Sequence, residues 1–368
     1  MRSKNWSWMK DEIFEILHLL SIDKLKISDL HTLINNFGSC RDVVCASKKD
    51  LRKIVGEISA AAISAFEISE RLRLRKRQLT EMDVSIVPYY SPQYPGWLTS
   101  IDHFPPVLFI RGSVLQQDEL SVAVIGTRGA TVYGKEIACN FAAEFALAGL
   151  TVVSGMARGI DTEAHRGALQ NSGRTIAVLG CGVDRCYPPE NKALMTEIIS
   201  SGAVISEFII GTPPLAHNFP RRNRIVSGLA KAVVAIEAKE KSGVMNTVKW
   251  ALDQNKEVFA VPGNIFAKTS YGTNQLIKEG ATPVTSPHEV LEYLGVKKSQ
   301  REPAARKISL DETENIIWEA LSCEPIFLDA LAEKLDQPTS RILNILLKLE
   351  LKGYIKQLPG MSFVRKFE

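Results

Sequence analysis

The sequence predicts an α/β protein whose doubly wound, mostly parallel sheet is flanked by a helical N-terminal module and a C-terminal winged helix. Short apolar runs alternate with helical patterns over residues 121–294, which is typical of strands joined by crossover helices. Helical spacing alone fills the first 80 residues, and three helical patterns with a hairpin close the chain. We expect domains at 1–80, 81–296 and 310–368, with a charged linker at 297–309.

Composition and charge argue against a strongly basic protein, a cysteine-based metal site and a membrane-spanning protein. The chain has 368 residues, is 45% hydrophobic and carries a formal net charge of only +4, so any anion must bind at local clusters. Six cysteines show no C-x-x-C pair or zinc spacing, and we expect reduced thiols and no metal site. Acidic residues interrupt the apolar N-terminus, and no apolar run reaches the ~20 residues of a membrane span. We therefore expect a cytoplasmic protein without a membrane partner.

The N-terminal module has two open interpretations. Apolar residues recur at helical spacing from Ile13 to Leu20 and from Leu30 to Phe37, and glycine-containing turns separate the short helices. Such a helix-hairpin-helix or SAM-like module either holds a nucleic-acid backbone or serves as an interaction domain. The basic run from Arg71 to Arg77 is likewise either a solvated helix face or a nucleic-acid contact. Residues Pro88 to Pro106 are expected to form a proline-rich connector that packs on the next domain.

Strand-like runs dominate the central domain. They are Ser121–Ile125, Thr151–Ser154, Thr175–Leu179, Ala203–Ser206, Ala232–Ile236, Glu257–Val261 and Ala281–Val284. Small, polar or charged residues follow most of these strands. In a parallel sheet those turns share one rim, outside the carboxyl ends of the strands, where such folds bind ligands.

The turn after the first of these strands is suited to a phosphate. Gly126, Thr127 and Arg128 precede a helical segment, so backbone N–H groups and a guanidinium can grip one anion. The G-x-G-x-x-G fingerprint is absent, and Glu136 stands where a P-loop has its magnesium-binding hydroxyl. The sequence thus favours phosphate binding without nucleotide hydrolysis, unless the glycines serve only a tight turn.

A second glycine-rich turn follows the strand Thr151–Ser154. Ser154 and Gly155 are candidate donors to a phosphate. Asp161 suits a helix N-cap, and His165 has no catalytic partner in the sequence, so we expect a structural histidine.

An arginine-rich helix start is the second candidate for anion binding. Cations at a helix N-terminus oppose the helix dipole unless an anion sits there, and an aromatic ring beside them can stack on a base. The candidate nucleic-acid ligands here are Phe219, Arg221, Arg222, Asn223 and Arg224. The alternative places the arginines in ion pairs with carboxylates such as Glu207, and Phe219 in the core. Glu207 and Glu237 also form a possible acid–base pair, although no spacing rule brings them together.

The C-terminal unit has the pattern of a winged helix. Helical patterns at Glu312–Leu321, Leu328–Leu335 and Thr339–Lys352 precede strands at Tyr354–Gln357 and Ser362–Arg365. Residues 310–368 carry seven Lys/Arg and ten Asp/Glu, a net charge of −3. DNA binding needs a cationic surface, so a protein-contact or accessory role is favoured here.

Six motifs together resemble the DprA/Smf (DNA-processing protein A) family over residues 94–294. They are G-T-R-x4-Y-G, S-G-x-A-x-G-I-D-x-x-A-H, G-C-G-x-D-x-x-Y-P, N-F-P-x-R-N-R-I-V-S-G-L, V-P-G and G-T-N-x-L-I-x-x-G-A. The resemblance implies an extended Rossmann-like domain that binds single-stranded DNA, forms a homodimer, protects incoming DNA and loads RecA recombinase in natural transformation. Our leading hypothesis is therefore a non-enzymatic DNA-binding protein, and we expect no cofactor. The family's DNA pocket corresponds to Gly126, Thr127, Arg128, Gly155, Phe219, Arg221, Asn223 and Arg224.

Departures from the family pattern leave other functions open. Residues 242–248 differ from the family's S-G-[ST]-L-x-T-A, and Ala216 stands where some members carry a basic residue. A related Rossmann-like group cleaves nucleoside monophosphates and carries a P-G-G-x-G-T-x-x-E segment. The corresponding region of this chain, at residues 262–266, lacks the second glycine, the G-T pair and the glutamate of that segment. A transcription-factor role through the winged helix is the third alternative.

Overall fold

The computed structural model describes residues 12–170, 172–296, 310–322 and 325–365. The expected linker at 297–309 lies outside these residues. The helices of the N-terminal module are α1 (Ile13–Leu19), α2 (Ile27–Phe37), α3 (Cys40–Cys45), α4 (Lys48–Ser64) and α5 (Glu70–Glu81). Ser39, Ser47 and Ser69 cap α3, α4 and α5 by accepting backbone N–H groups, as short polar side chains do at helix starts.

Helix α4 is interrupted by a kink. The helix breaks at Gly56, whose φ of 75° suits glycine. Glu57 follows at once and forms ion pairs with Lys48 (2.9 Å) and Arg52 (3.4 Å). The Glu57 charge is therefore balanced by these two cations, and both interpretations of the N-terminal module remain predictions.

Across the described residues the central sheet has nine strands, in the order β1-β2-β6-β5-β4-β3-β7-β8-β9. They are β1 (Ser85–Pro88), β2 (Val107–Gly112), β3 (Ser121–Ile125), β4 (Thr151–Ser154), β5 (Thr175–Val178), β6 (Ala203–Ser206), β7 (Ala232–Ala235), β8 (Glu257–Ala260) and β9 (Thr282–Pro283). The pairs β1–β2 and β2–β6 are antiparallel, and the other pairs are parallel. This confirms the predicted mostly parallel, doubly wound sheet.

Strands β1 and β2 were not predicted from the sequence. They flank the proline-rich connector. Strand β2 is a short buried run, and its pairing partner β6 lies about 100 residues further along the chain. Within the connector, Tyr94 and Leu98 are buried against the sheet, so the expected packing on the next domain is confirmed.

Helices cover both faces of the sheet. Along β3, Ala123 and Ile125 join the core of one face while Val122 and Val124 join the other, because successive side chains of a strand alternate. Helices α9 (Asn218–Leu229), α10 (Gly243–Asp253) and α11 (Tyr271–Lys278) pack on the first face. Helices α6 (Val132–Leu147), α7 (Ile160–Gln170), α8 (Lys192–Ser201) and α12 (Pro287–Tyr293) pack on the second, and α1 and α5 join it beside α8.

The C-terminal unit is a winged helix, as predicted. Its elements are α13 (Glu312–Ala320), β10 (Ile326–Phe327), α14 (Leu328–Leu335), α15 (Thr339–Leu351), β11 (Ile355–Leu358) and β12 (Ser362–Arg365). It has a core of its own, built on Leu331, Ile342, Leu346 and Phe363. Strand β10, which pairs with β12, was not predicted. Over the described part of the chain, no helix is both long and apolar enough to cross a membrane.

Candidate nucleic-acid interface

A cleft of about 550 Å³ opens at the carboxyl ends of β3, β4 and β7. The chain leaves β3 toward β4 on one side and returns to β7 on the other, so the turns after these strands diverge and leave a crevice. The residues around it include Gly126, Thr127, Arg128, Gly155, Ala157, Asp161, Tyr187, Phe219, Arg222, Asn223, Lys239, Lys241, Ser242, Gly243, Val244, Asn246 and Thr247.

The turn after β3 is fastened to the end of β7. The Thr127 N–H donates to the Glu237 carbonyl (2.8 Å), and the Glu237 carboxylate accepts from the N–H (2.9 Å) and hydroxyl (2.6 Å) of Thr131. Thr131 in turn caps α6 by accepting from the Gly134 N–H. Any side chain at position 134 would overlap the Glu237 carboxylate. Glu237 therefore has a structural role, because it holds the turn after β3 against the end of β7.

Arg128 is the most prominent cation of the cleft. Its side chain is exposed, and its guanidinium carbon lies 5.2 Å from the centre of the Phe219 ring. Lys239 and Lys241, in the segment that follows β7, also line the cleft and are exposed. Among the residues that the structure describes, none brings a carboxylate within ion-pair distance of these three cations. These three cations are therefore available to an anion in the cleft.

Two aromatic rings lie beside these cations. Phe219 is half-buried, and Tyr187, which is 38% exposed, lies with its ring centre 5.6 Å from that of Phe219. Exposed rings in a basic cleft are suited to stacking on nucleotide bases. Tyr187 is not among the residues predicted from the sequence, although the loop after β5 lies at the predicted rim and the tyrosine belongs to the motif G-C-G-x-D-x-x-Y-P.

Arg222 is buried beneath the cleft and serves as a clamp. Its side chain donates to the carbonyls of Gly155 (2.8 Å) and Val178 and to the Asn223 side chain (3.1 Å). A side chain at position 155 would overlap the guanidinium, so a glycine is required there. Arg222 joins the turns after β4 and β5 to α9 and contributes its charge to the floor of the cleft.

Asp161 completes this buried charge system. It is the second residue of α7, and its carboxylate accepts from the backbone N–H groups of Gly155 (3.2 Å) and Ala157 (3.3 Å). The expected N-cap role is therefore wrong, because the carboxylate holds the turn that precedes the helix. Burial raises the pKa of Asp161, and the charge of Arg222 opposes this rise. The Gly155 N–H is occupied by this bond, although Gly155 itself lines the cleft.

Ser154, at the end of β4, and His165, in α7, point away from the cleft. Ser154 is fully buried, and its hydroxyl donates to the Val124 carbonyl (2.7 Å), so it does not form the phosphate contact that the sequence analysis expected. His165 is also fully buried and bonds through Nδ1 to the Thr175 hydroxyl (2.7 Å). Burial lowers the pKa of His165 to about 3, which agrees with a structural histidine.

Arg221 and Arg224 face Glu207 instead of the cleft. Arg224, whose side chain is 3% exposed, pairs with the buried Glu207 carboxylate at 2.7 Å, and Arg221 pairs with it at 2.7 Å from the more exposed side. Arg224 also donates to the His103 carbonyl (2.9 Å). For these two arginines the structure agrees with the ion-pair alternative. Phe219 differs from that alternative because its ring lines the cleft.

Asn223 links the arginine-rich helix start to α10. Its amide donates to the Asn246 side chain (3.2 Å), and both residues line the cleft. Ser242 caps α10 by accepting from the Val244 N–H (3.3 Å). The segment in which the sequence departs from the family pattern is thus part of the cleft wall.

The cleft holds little that resembles a catalytic centre. Glu207 and Glu237 serve different ion-pair and hydrogen-bond networks and do not form an acid–base pair. Over the described ranges, no group of three or more His, Cys, Asp and Glu side chains is arranged to hold a metal ion.

Comparison with protein families gives two consecutive matches. Residues 85–295 match the model of DNA recombination-mediator protein A, and residues 301–361 match the DprA winged helix domain. The chain is 39% identical over 290 residues to protein Smf of Escherichia coli (strain K12), a match that covers 76% of this chain and 77% of that protein. It is 42% identical over 202 residues to DNA processing protein DprA of Streptococcus pneumoniae, with 54% and 70% covered.

Solved structures give the same result. The X-ray structure of DprA from Streptococcus pneumoniae superposes with a TM-score of 0.65 at 34% identity, over 76% of this chain and 96% of that one. A DprA structure from Helicobacter pylori, described for its single-stranded DNA binding mode, superposes with a TM-score of 0.53 at 30% identity, over 58% of this chain and 97% of that one.

Proposed function

Because the chain belongs to the DNA recombination-mediator protein A family, to which Smf and DprA proteins are assigned, we propose that it acts in DNA processing by binding single-stranded DNA in the cleft. In this proposal the protein is a non-enzymatic mediator. It protects incoming DNA and loads RecA recombinase during natural transformation or recombination.

One observation carries the proposal: exposed cations and paired aromatic rings share one open cleft. Arg128, Lys239 and Lys241 offer positive charge to phosphates, and the rings of Phe219 and Tyr187 offer surfaces for bases. Because bases in a duplex are already stacked, only an unpaired strand can place a base on these rings while its backbone follows the lysines. The arrangement thus favours single-stranded over double-stranded DNA.

The recombinase and the homodimer enter the proposal through the family resemblance. A cytoplasmic location is consistent with both. The nucleotide-cleaving alternative has less support, since Glu207 and Glu237 are engaged in structural contacts and the cleft carries Asp161 in a turn-holding role.

Fluorescence anisotropy with oligo-dT and a duplex of equal length tests the proposal. We expect the protein to bind oligo-dT more tightly than the duplex. The Arg128→Ala variant should bind oligo-dT about tenfold more weakly, because it loses one charge-assisted hydrogen bond to a phosphate. The slope of affinity against salt should fall by about 0.7, the value for one phosphate of a single strand. Arg166→Ala is the control, because Arg166 is an exposed arginine of α7 paired with Glu163.

The same proteins, mixed with RecA and oligo-dT, test the mediator role by the rate of RecA filament formation. Equal binding of both DNA forms, or an Arg128→Ala variant that binds as the wild type does, would refute the cleft assignment. Release of free base from AMP would support the enzymatic alternative instead.

A further inference from the structure

A hydrogen-bonded loop follows β8 at the same rim. This rim loop, Gly263 to Ser270, is closed by the Asn274 side chain, which accepts from the Gly263 N–H (3.1 Å) and donates to the Gly263 carbonyl (2.9 Å). A side chain at position 263 would overlap the Ser270 side chain, so the two ends of the loop are in close contact. Inside it, the Phe266 N–H donates to the Asn264 side chain (2.9 Å).

The rim loop holds two large apolar side chains in solvent. Ile265 is 80% exposed and Phe266 is 89% exposed. Neighbouring apolar residues so fully exposed on a hydrogen-bonded loop are characteristic of a contact surface for another molecule.

The rim loop adjoins the wall of the cleft. The Ala238 N–H donates to the Thr269 carbonyl (2.8 Å), and the Gly272 N–H donates to the Ala238 carbonyl (2.8 Å). Ala238 directly precedes Lys239, which lines the cleft with Lys241. The Lys239 ammonium extends toward Gly129, to within 3.9 Å of where a side chain there would begin, and so reaches the turn that carries Arg128.

Charge around the rim loop favours an anionic ligand. Lys268 lies in the loop and is exposed, and within the described ranges no carboxylate lies in ion-pair distance of it. The cleft holds rings together with Arg128, and the segment with Lys239 and Lys241 joins it to the rim loop, which carries Phe266 and Lys268. Rings and cations are the groups that a single strand needs, because each nucleotide brings one base and one phosphate.

We propose that Phe266, flanked by Ile265 and Lys268, is a second stacking platform for the single strand that leaves the cleft. The proposal rests on the proposed function and assigns the rim loop to the same strand. Phe266 stacks on a base several nucleotides from the one at Phe219 and Tyr187, and Lys239 and Lys241 contact the phosphates between them.

The test compares oligo-dT of about 4 and about 16 nucleotides, lengths that bracket known single-strand sites. Phe266→Ala should weaken binding of the longer oligonucleotide about fivefold or more, the effect of losing one stacked base, and leave the shorter one unchanged. Phe266→Trp should restore the longer oligonucleotide to wild-type affinity. Phe327→Ala is the control, because Phe327 is an exposed phenylalanine (61%) of the winged helix.

The outcomes separate the two proposals. If the wild type binds both oligonucleotides and Phe266→Ala binds the longer one equally well, the second platform is refuted while the cleft assignment stands. If the wild type binds neither, the proposed function and the platform fail together. Sedimentation of each variant completes the design: a parallel loss at both lengths with a shift to a smaller assembly would make the rim loop an interface between copies, and would overturn the proposal.

Discussion

Neighbouring arginines on α9 have different roles because the helix turns by about 100° per residue. Phe219, Arg222 and Asn223 line the cleft, whereas Arg221 and Arg224 lie on the side that faces Glu207. Between the two sides, Arg222 is buried and clamps backbone carbonyls. One basic stretch thus supplies cleft residues, a clamp and an ion-pair network.

The first prediction concerns Arg224, which the family resemblance places in the DNA pocket. Arg224→Ala should lower the free energy of unfolding by about 3–5 kcal/mol, because it leaves the buried Glu207 carboxylate with one partner fewer. Arg221→Ala, at the 45% exposed partner of the same carboxylate, should cost about 1 kcal/mol or less. Urea unfolding measures both. Equal costs for the two variants would contradict the assignment of Arg224 to the core network.

The second prediction concerns the pH dependence of stability through His165. Its pKa is lowered to about 3 in the fold, so the unfolded chain, in which histidine titrates near 6.5, binds one more proton between these pH values. The contribution of the neutral His165 side chain to the free energy of unfolding is complete above pH 6.5, and it declines as the pH falls toward 3. Between pH 7 and 5 the wild type should lose about 2 kcal/mol more than His165→Gln. Urea unfolding at several pH values measures the difference, and parallel pH profiles would contradict it.

At the scale of elements, the turns after β3 and β4 support each other by direct backbone contact. Gly159 has a φ of 79°, and a side chain there would overlap the carbonyl of Thr127. Gly126 likewise lies against the Ile160 side chain, which leaves no room for a larger residue. The cleft walls are therefore held in place before any ligand arrives, which lowers the ordering cost of binding.

The third prediction follows from this contact. Gly149 has a similar φ of 85° but open space around it. Gly149→Ala should therefore lower the free energy of unfolding by about 1–2 kcal/mol, the cost of a left-handed backbone conformation for a residue with a side chain. Gly159→Ala should cost clearly more and should also weaken oligo-dT binding, because the turn that carries Arg128 must move. Thermal unfolding and anisotropy measure the two effects. A Gly159→Ala variant with normal DNA affinity would show that the contact does not position Arg128.

At the scale of the whole molecule, the winged helix has a separate core and a separate charge balance. Residues 310–368 carry a net charge of −3, and the exposed side of α15 presents Leu347 and Leu351. A unit with net negative charge and exposed apolar side chains on this helix is poorly suited to a DNA backbone. The cationic groups that serve DNA in our proposal all lie in the central domain.

The fourth prediction is that a chain ending at residue 296 keeps the full affinity for oligo-dT. The winged helix contributes its own core, so its removal leaves the central core intact. Anisotropy on the full and shortened chains tests this. A loss of tenfold or more would assign DNA contacts to the winged helix and would favour the transcription-factor alternative.

Local sequence determined the parallel strands, the winged helix and the rim on which the cleft opens. Those features depend on neighbouring residues: buried strands are short apolar runs, and the turns after parallel strands share one edge. Only the tertiary structure decided that Arg224 pairs with Glu207, that Ser154 points into the sheet, and that Tyr187 joins Phe219. These outcomes depend on which groups the fold brings within a few ångströms across long stretches of chain, and no local pattern encodes those distances.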